Sequence, residues 1–417
     1  MSGRTGLAAL LTASVVSALG SRVSIVAIPW LVLVTTGNPT DMGLVIAVTM
    51  IPYLTTSIFG APLVERYGLR VSAIGADSVS AVTTGVIAAT PNIGMPTILA
   101  MVAVSGLVRG AGDRTKHVLL QPAATEAGVP MVRVTAIYDG LDNAASLVGA
   151  PVGGLLIFWF GAQGAVWVDS ASYAASALLV LTLVKRALEP AREDKPAAEP
   201  YLAALRAGAR QLTRDRLLLS MLAMVFFANL VNQATTAVFV PLWVRDMLHS
   251  PAALGTILGS FAAGAVIGNL IFTAFAVKMS HYLTFAIGLA LSGAPRLLVL
   301  GLSHTLAVVL VVTFCCGLAI ASVNPIFGAT LYRRVPSEFQ TRVFGLVAAV
   351  SYAGFPIGGL LGGWAVSGLG LSTAILLGGG VYLAATLIPL LWYRGPGAEA
   401  ELADEPLEEV KEGPAKP

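Results

Sequence analysis

The chain has 417 residues, 56% of them hydrophobic and only 11% charged, with a net charge of +3 and a mean hydropathy of +0.82. A soluble domain carries about 25% charged residues, and an apolar surface of the extent implied here is one that soluble monomers avoid. Composition therefore excludes a soluble enzyme, a nucleic-acid module and a disordered scaffold, and leaves an all-α integral membrane protein. The 44 Gly and 23 Pro agree, because membrane helices tolerate both where small residues let helices pack closely. Cys315 and Cys316 are the only cysteines and are adjacent, so there is no disulfide framework.

Apolar runs between polar breaks predict twelve spans, near 7–36, 41–63, 71–90, 96–122, 132–159, 165–184, 217–244, 252–276, 283–302, 305–331, 342–366 and 371–393. Their lengths suit helices crossing about 30 Å of hydrocarbon, whereas barrel strands would be short and alternating. Arg4 followed by Leu7–Leu19 has the look of a signal peptide. The apolar run resumes after Arg22 and continues to Val34, too long for a signal core, so it reads as span 1. Residues 185–216 are charged and Pro-rich and read as a linker with a short amphipathic helix around Tyr201–Leu212. Residues 395–417 form an acidic tail of low apolar content, expected to be disordered. Residues 1–184 and 217–394 then make two six-helix bundles.

Basic residues set the orientation. One set of loops holds Arg66, Arg70, Arg133, Lys185, Arg186, Arg192, Lys195, Arg206, Lys278, Arg333 and Arg334; the opposite loops hold Arg245 alone. The expectation is a multi-pass protein of the bacterial cell membrane with both termini and the linker in the cytoplasm. The halves also repeat. An offset of 212 places Pro29 on Pro241, Pro39 on Pro251, Gly43 on Gly255 and Arg66 on Lys278. Near offset 205, Val148–Leu156 (VGAPVGGLL) matches Ala353–Leu361 (AGFPIGGLL). Parallel six-helix repeats place a binding site near the midplane between them.

The loop Ala61–Arg70 (APLVERYGLR) resembles the G-x-x-x-D-R-x-G-R-R signature of the major facilitator superfamily, with Ala61, Glu65 and Leu69 departing from it. The resemblance covers essentially the whole chain. It implies that Glu65, Arg66, Gly68 and Arg70 help lock one conformational state, and that the protein works as a monomer. In span 5, Gly149, Pro151, Gly153 and Gly154 are similar to the Gly-Pro motif of drug/proton antiporters, with Ala-Pro in place of Gly-Pro. Ala27–Trp30, Val168–Tyr173 and Pro241–Asp246 resemble the branch holding enterobactin-type siderophore exporters and the macrolide and tetracycline efflux proteins.

Charges inside spans are expensive, roughly 2.5–3.5 kcal/mol each at the bilayer centre, so they must pair or face water. Span 4 carries Arg109, Asp113, Lys116, His117 and Gln121 on one helical face; span 5 carries Asp139, Asp142, Asn143 and Ser146 at the same kind of spacing. Two facing stripes predict ion pairs along a cavity. Acids in a cavity can carry protons, and Asp142, Asp139 and Asp113 are the candidate coupling acids, Asp142 first. A purely structural Arg109–Asp113 pair is the competing reading. Arg22 in span 1 reads equally as a ligand for an anionic substrate group or as a partner for an acid of span 4 or 5. Asp77 is expected to pair with the Arg66/Arg70 loop, while Asp169 and Arg296 read as local structural groups. Asn229, Asn232 and Gln233 of span 7 complete the candidate substrate cavity with Arg22, Arg109 and Asn143.

The function expected is proton-coupled export of small amphipathic molecules such as drugs or siderophores, with the substrate, protons and the lipid bilayer as partners. An importer or facilitator of a small solute on the same fold is the first alternative, and a membrane sensor or enzyme the second. The sequence shows no ATP-binding motif, no metal-ligand spacing and no convergent catalytic set among its four scattered histidines, so neither an enzyme nor a cofactor is expected.

Overall fold

In the computed structural model, residues 3–60, 64, 66–90, 93–184, 201–248, 250–275, 281–336 and 339–392 are described. Glu65, the linker segment 185–200 and the tail lie outside them. Among the described residues there is no strand, and eleven helices are long and apolar enough to cross a membrane. One of these, Met131–Leu183, holds both span 5 and span 6. Gly161 divides it with φ 72°, a backbone conformation that a β-carbon would strain. Twelve crossings result, in two pseudo-symmetric bundles of six.

Local chemistry sets several boundaries. Asn38 accepts a hydrogen bond from the Thr40 backbone N–H at 3.0 Å and Pro39 follows as the first helical residue, starting span 2 (Pro39–Phe59). Gly68, with φ 86°, turns the chain into span 3 (Leu69–Ala89). Asp215 caps span 7 by accepting from the backbone N–H groups of Leu217 and Leu218. Span 7 then loosens into π-turns at Thr235–Phe239 and Val244–Leu248, flanking Pro241, which has no N–H to give the regular ladder.

The two halves meet at the end of the bundle remote from the chain start, here the far end; the end where span 1 begins is the near end. Span 5 packs on span 8 (Pro251–Phe275), and span 2 on span 11 (Gln340–Leu369). Glycine makes both approaches possible. A β-carbon on Gly154 would run into the Gly255 backbone, and one on Gly43 into that of Gly359. Thr40 and Ser367 share a 2.8 Å hydrogen bond across the same seam. One apolar cluster runs through both halves there, from Trp30, Val45 and Ile157 to Leu254, Leu297 and Ile375. Toward the near end the core divides in two. Leu10, Leu119, Val134 and Val180 pack within the first half, and Leu218, Leu222, Leu331 and Val343 within the second. The halves are thus joined at the far end and separately packed at the near end.

Two expectations are corrected. Among the described residues the charged stripes of spans 4 and 5 form no ion pair with each other: span 1 (Gly3–Thr36) packs on both helices, and where the two meet the contact is the edge-to-face pair of His117 with Tyr138, ring centroids 5.0 Å apart. Lys116 of span 4 reaches Ser17 of span 1, while Gly149 and Gly153 of span 5 lie against Arg22 and Val23 of span 1. Asp77 pairs with Lys116 rather than with the Arg66/Arg70 loop, since it lies on the buried face of span 3. Arg70 is committed elsewhere: it donates to the carbonyls of Val184 (2.7 Å) and Leu181 (2.5 Å) at the end of span 6.

Candidate functional site

Three helices of the first half hold the site, each through residues three or four apart. Span 1 presents Ser17, Ser21 and Ser24; span 6 presents Asp169, Tyr173 and Ser176; span 4 presents Arg109, Asp113 and Lys116. The three stripes mesh as a ladder. On its near rung, the Lys116 ammonium donates to Asp77 Oδ1 (2.8 Å), Ser17 Oγ (2.8 Å) and Ser176 Oγ (3.3 Å), and Ser176 donates to Asp77 Oδ2 (2.6 Å). Lys116 and Asp77 are 2% and 3% exposed, so the pair is fully withdrawn from water. On the middle rung, the Ser21 and Tyr173 hydroxyls lie 2.8 Å apart. On the far rung, Ser24 donates to Asp169 Oδ2, and Ser172 donates to the Asp169 backbone carbonyl.

Arg109 crosses toward this ladder. Its guanidinium lies over the rings of Tyr53 (5.8 Å) and Tyr173 (5.4 Å) and 3.8 Å from Asp113, one turn along its own helix. Its Nε is buried and makes no hydrogen bond. A cavity that opens to solvent lies beside it, with about 50 Å³ of enclosed room. Its walls are mostly apolar (Ile25, Ile28, Ile46, Met50, Ile87 and Val102), and Ser21, Ser24, Thr49, Ser105, Arg109, Asp169, Tyr173 and Gln233 supply the polar edges. Apolar walls with a few convergent polar groups are the usual form of a small-molecule site.

Of the predicted cavity residues, Arg109 and Gln233 line this space, and Arg22, Asn143, Asn229 and Asn232 do not. Arg22 packs its stem against Gly149. Asn229 donates to the Ser351 carbonyl of span 11 (3.0 Å), and Asn232 accepts from Arg296 (2.7 Å), which is buried against the Phe261 ring. Asp139 and Asn143 are exposed and Asp142 is partly so; among the described residues no ion pair joins either acid to span 4. Pro151 and Gly154 sit at the seam with span 8, beside Gly255 and Gly259. Sequence reasoning set Asp169 aside as a local group and gave Tyr173 no role of its own. Their four-residue spacing, in register with the serines of span 1, was the available signal.

The family model described as "Major Facilitator Superfamily" matches residues 10–247 and 222–413. The chain belongs to the major facilitator superfamily. It is therefore a transport protein and not an enzyme. The "Multidrug efflux pump Tap" of Mycobacterium tuberculosis is 26% identical over 381 residues, 88% of each chain. The "Multi-drug resistance efflux pump PmrA homolog" of Lactococcus lactis is 22% identical over 349 residues, 80% of each. Among solved structures, the nucleoside transporter NupG superposes with a TM-score of 0.77 at 12% identity, covering 93% of this chain and 99% of its own. A bacterial homologue of the lysosomal transporter Spinster, in an inward-facing and unoccupied conformation, gives 0.70 at 14% identity, covering 93% and 95%. At such identities the structural matches speak for the fold.

Proposed function

We propose that this protein exports small amphipathic molecules from the cytoplasm by alternating access, in exchange for protons. The observation that carries this is the cavity in the first half: mostly apolar walls that open to solvent, with a buried carboxyl and a guanidinium at its edge. The relatives bearing efflux names favour drugs over siderophores as cargo. The near end is the cytoplasmic one in this reading, because it carries the excess of Arg and Lys. Residues 1–184 and 217–394 act as the two rocking bodies, with 185–216 as their cytoplasmic tether. Glu65, Arg66, Gly68 and Arg70 act in the switch between states with Asp77, Gly149, Pro151, Gly153 and Gly154. Four carboxyls of the first half stand as proton acceptors: Asp113, Asp139 and Asp142, and Asp169 in the cavity wall.

Everted membrane vesicles with an acidified interior and a pH-sensitive dye test the reading. Ethidium, tetracycline, erythromycin and a catecholate siderophore are added one at a time. Dye recovery on addition, absent from vesicles lacking the protein, establishes proton-coupled export. Accumulation of the same compounds in intact cells, without proton movement, would instead support the importer.

A further inference from the structure

We infer that Asp169 is the carboxyl at which proton and substrate exchange, with Arg109 as the charge that holds its ionised form. This rests on the proton-coupled reading above and assigns its coupling group. An exchange site must be sealed from one side of the membrane while open to the other, and must be reachable by the substrate. Asp169 lies eight residues beyond Gly161, about 12 Å into the bundle at 1.5 Å per residue. The residue is 1% exposed yet forms part of the cavity wall. Beyond it toward the far end lies the apolar cluster that joins the halves. Separation of the halves at that end opens the cavity to the outside; closure there and opening at the near end turns it to the cytoplasm.

The other acids meet fewer of these conditions. Asp139 is exposed, Asp113 is 37% exposed and already beside Arg109, and Asp142 is absent from the described cavity lining. Asp77 is saturated by Lys116 and Ser176. The groups facing Asp169 suit a reversible charge. From span 1 come hydroxyls only, with Gly20 so close that a β-carbon would strike the carboxyl. Span 3 contributes Thr84 to the same cavity and span 7 contributes Gln233, neither of them titratable. Span 4 contributes Arg109, whose buried Nε–H makes no hydrogen bond and can donate to a carboxylate, with Asp113 and Tyr53 behind it. On its own helix stands Tyr173, hydrogen-bonded to Ser21 and flanked by Arg109.

The cycle balances as one proton for one substrate. With the cavity open to the cytoplasm, Asp169 releases its proton there, and an amphipathic molecule bearing a cationic group binds beside the carboxylate. With the cavity open outside, a proton from that side binds Asp169 and the substrate leaves. The neutral, empty form returns.

The test uses purified full-length protein in detergent without buffer. On addition of ethidium, tetracycline or erythromycin the wild type releases a proton, and D169N binds the same compound with no release. If the wild type is silent with all three, the proton-coupled reading itself fails. If the wild type responds and D169N responds equally, or if D142N loses the response while D169N keeps it, the assignment to Asp169 is overturned. A ligand-free measurement covers the case of a D169N protein that does not fold. S24A keeps the acid and removes the hydroxyl donated to it. The protonated-carboxyl infrared band of the purified protein then titrates with a displaced midpoint in S24A, and an identical midpoint overturns the assignment.

Discussion

At the residue scale the most constrained contact is the Lys116–Asp77 pair, because both groups are buried and every ammonium proton has an acceptor. Removing one member of a buried pair leaves the other charge uncompensated, at a cost of about 3–5 kcal/mol, whereas replacing both by apolar groups is often neutral. K116M alone is therefore expected to lower thermal stability sharply in a detergent melting assay, and D77L/K116M to recover most of the loss. Equal losses in the single and double variants would show that the pair is not energetically coupled. Lys116 and Asp77 were legible as charges inside spans, but the hydroxyls of Ser17 and Ser176 were not singled out and the partners of the charges were not legible. Spacing reports which residues share a face of one helix; it does not report which helix lies opposite. Arg109 was found because a guanidinium inside an apolar run demands an explanation. Asp169 was set aside because a lone acid near a span end is commonly satisfied locally, and its Ser24 donor lies 145 residues away.

At the scale of helices, the glycines of spans 5, 8 and 11 determine how closely the halves approach. Gly154 and Gly255 touch backbone to backbone, so any side chain at 154 forces spans 5 and 8 apart. G154V should disfavour closure at the far end and bias the protein toward the opposite state. The measurement starts from a C315S/C316S background with Thr49→Cys in the cavity wall, labelled by a membrane-impermeant maleimide from the far side. Labelling is expected to rise several-fold with G154V; labelling equal to the parent would mean that this contact does not hold the far end shut. The helices themselves were largely legible, since hydropathy over 18 or more residues is a strong signal, and even the break at Gly161 falls in the predicted gap between spans 5 and 6. The Gly-Pro stretch also showed in the sequence, but its role at the seam did not, because glycine spacing marks close packing without naming the neighbour.

For the whole molecule, alternating access requires that the seam at the far end open once per cycle. The two halves meet there through spans 2 and 11 and through spans 5 and 8, while near the chain start they pack as separate cores. Thr40 and Ser367 lie at the far edge of this seam with their hydroxyls 2.8 Å apart, within the reach of a disulfide once both carry thiols. In the C315S/C316S background, T40C/S367C should cross-link on mild oxidation with little change in fold. Binding of ethidium from the near side should survive, because the cavity lies inside the seam. Turnover should stop, and a reductant should restore it. Binding lost together with turnover would mean that substrate needs the far end open in order to enter, which would reverse the direction of transport proposed here. Turnover that continues in the fully cross-linked protein would mean that the halves do not part at this end, and that the cavity empties by another route.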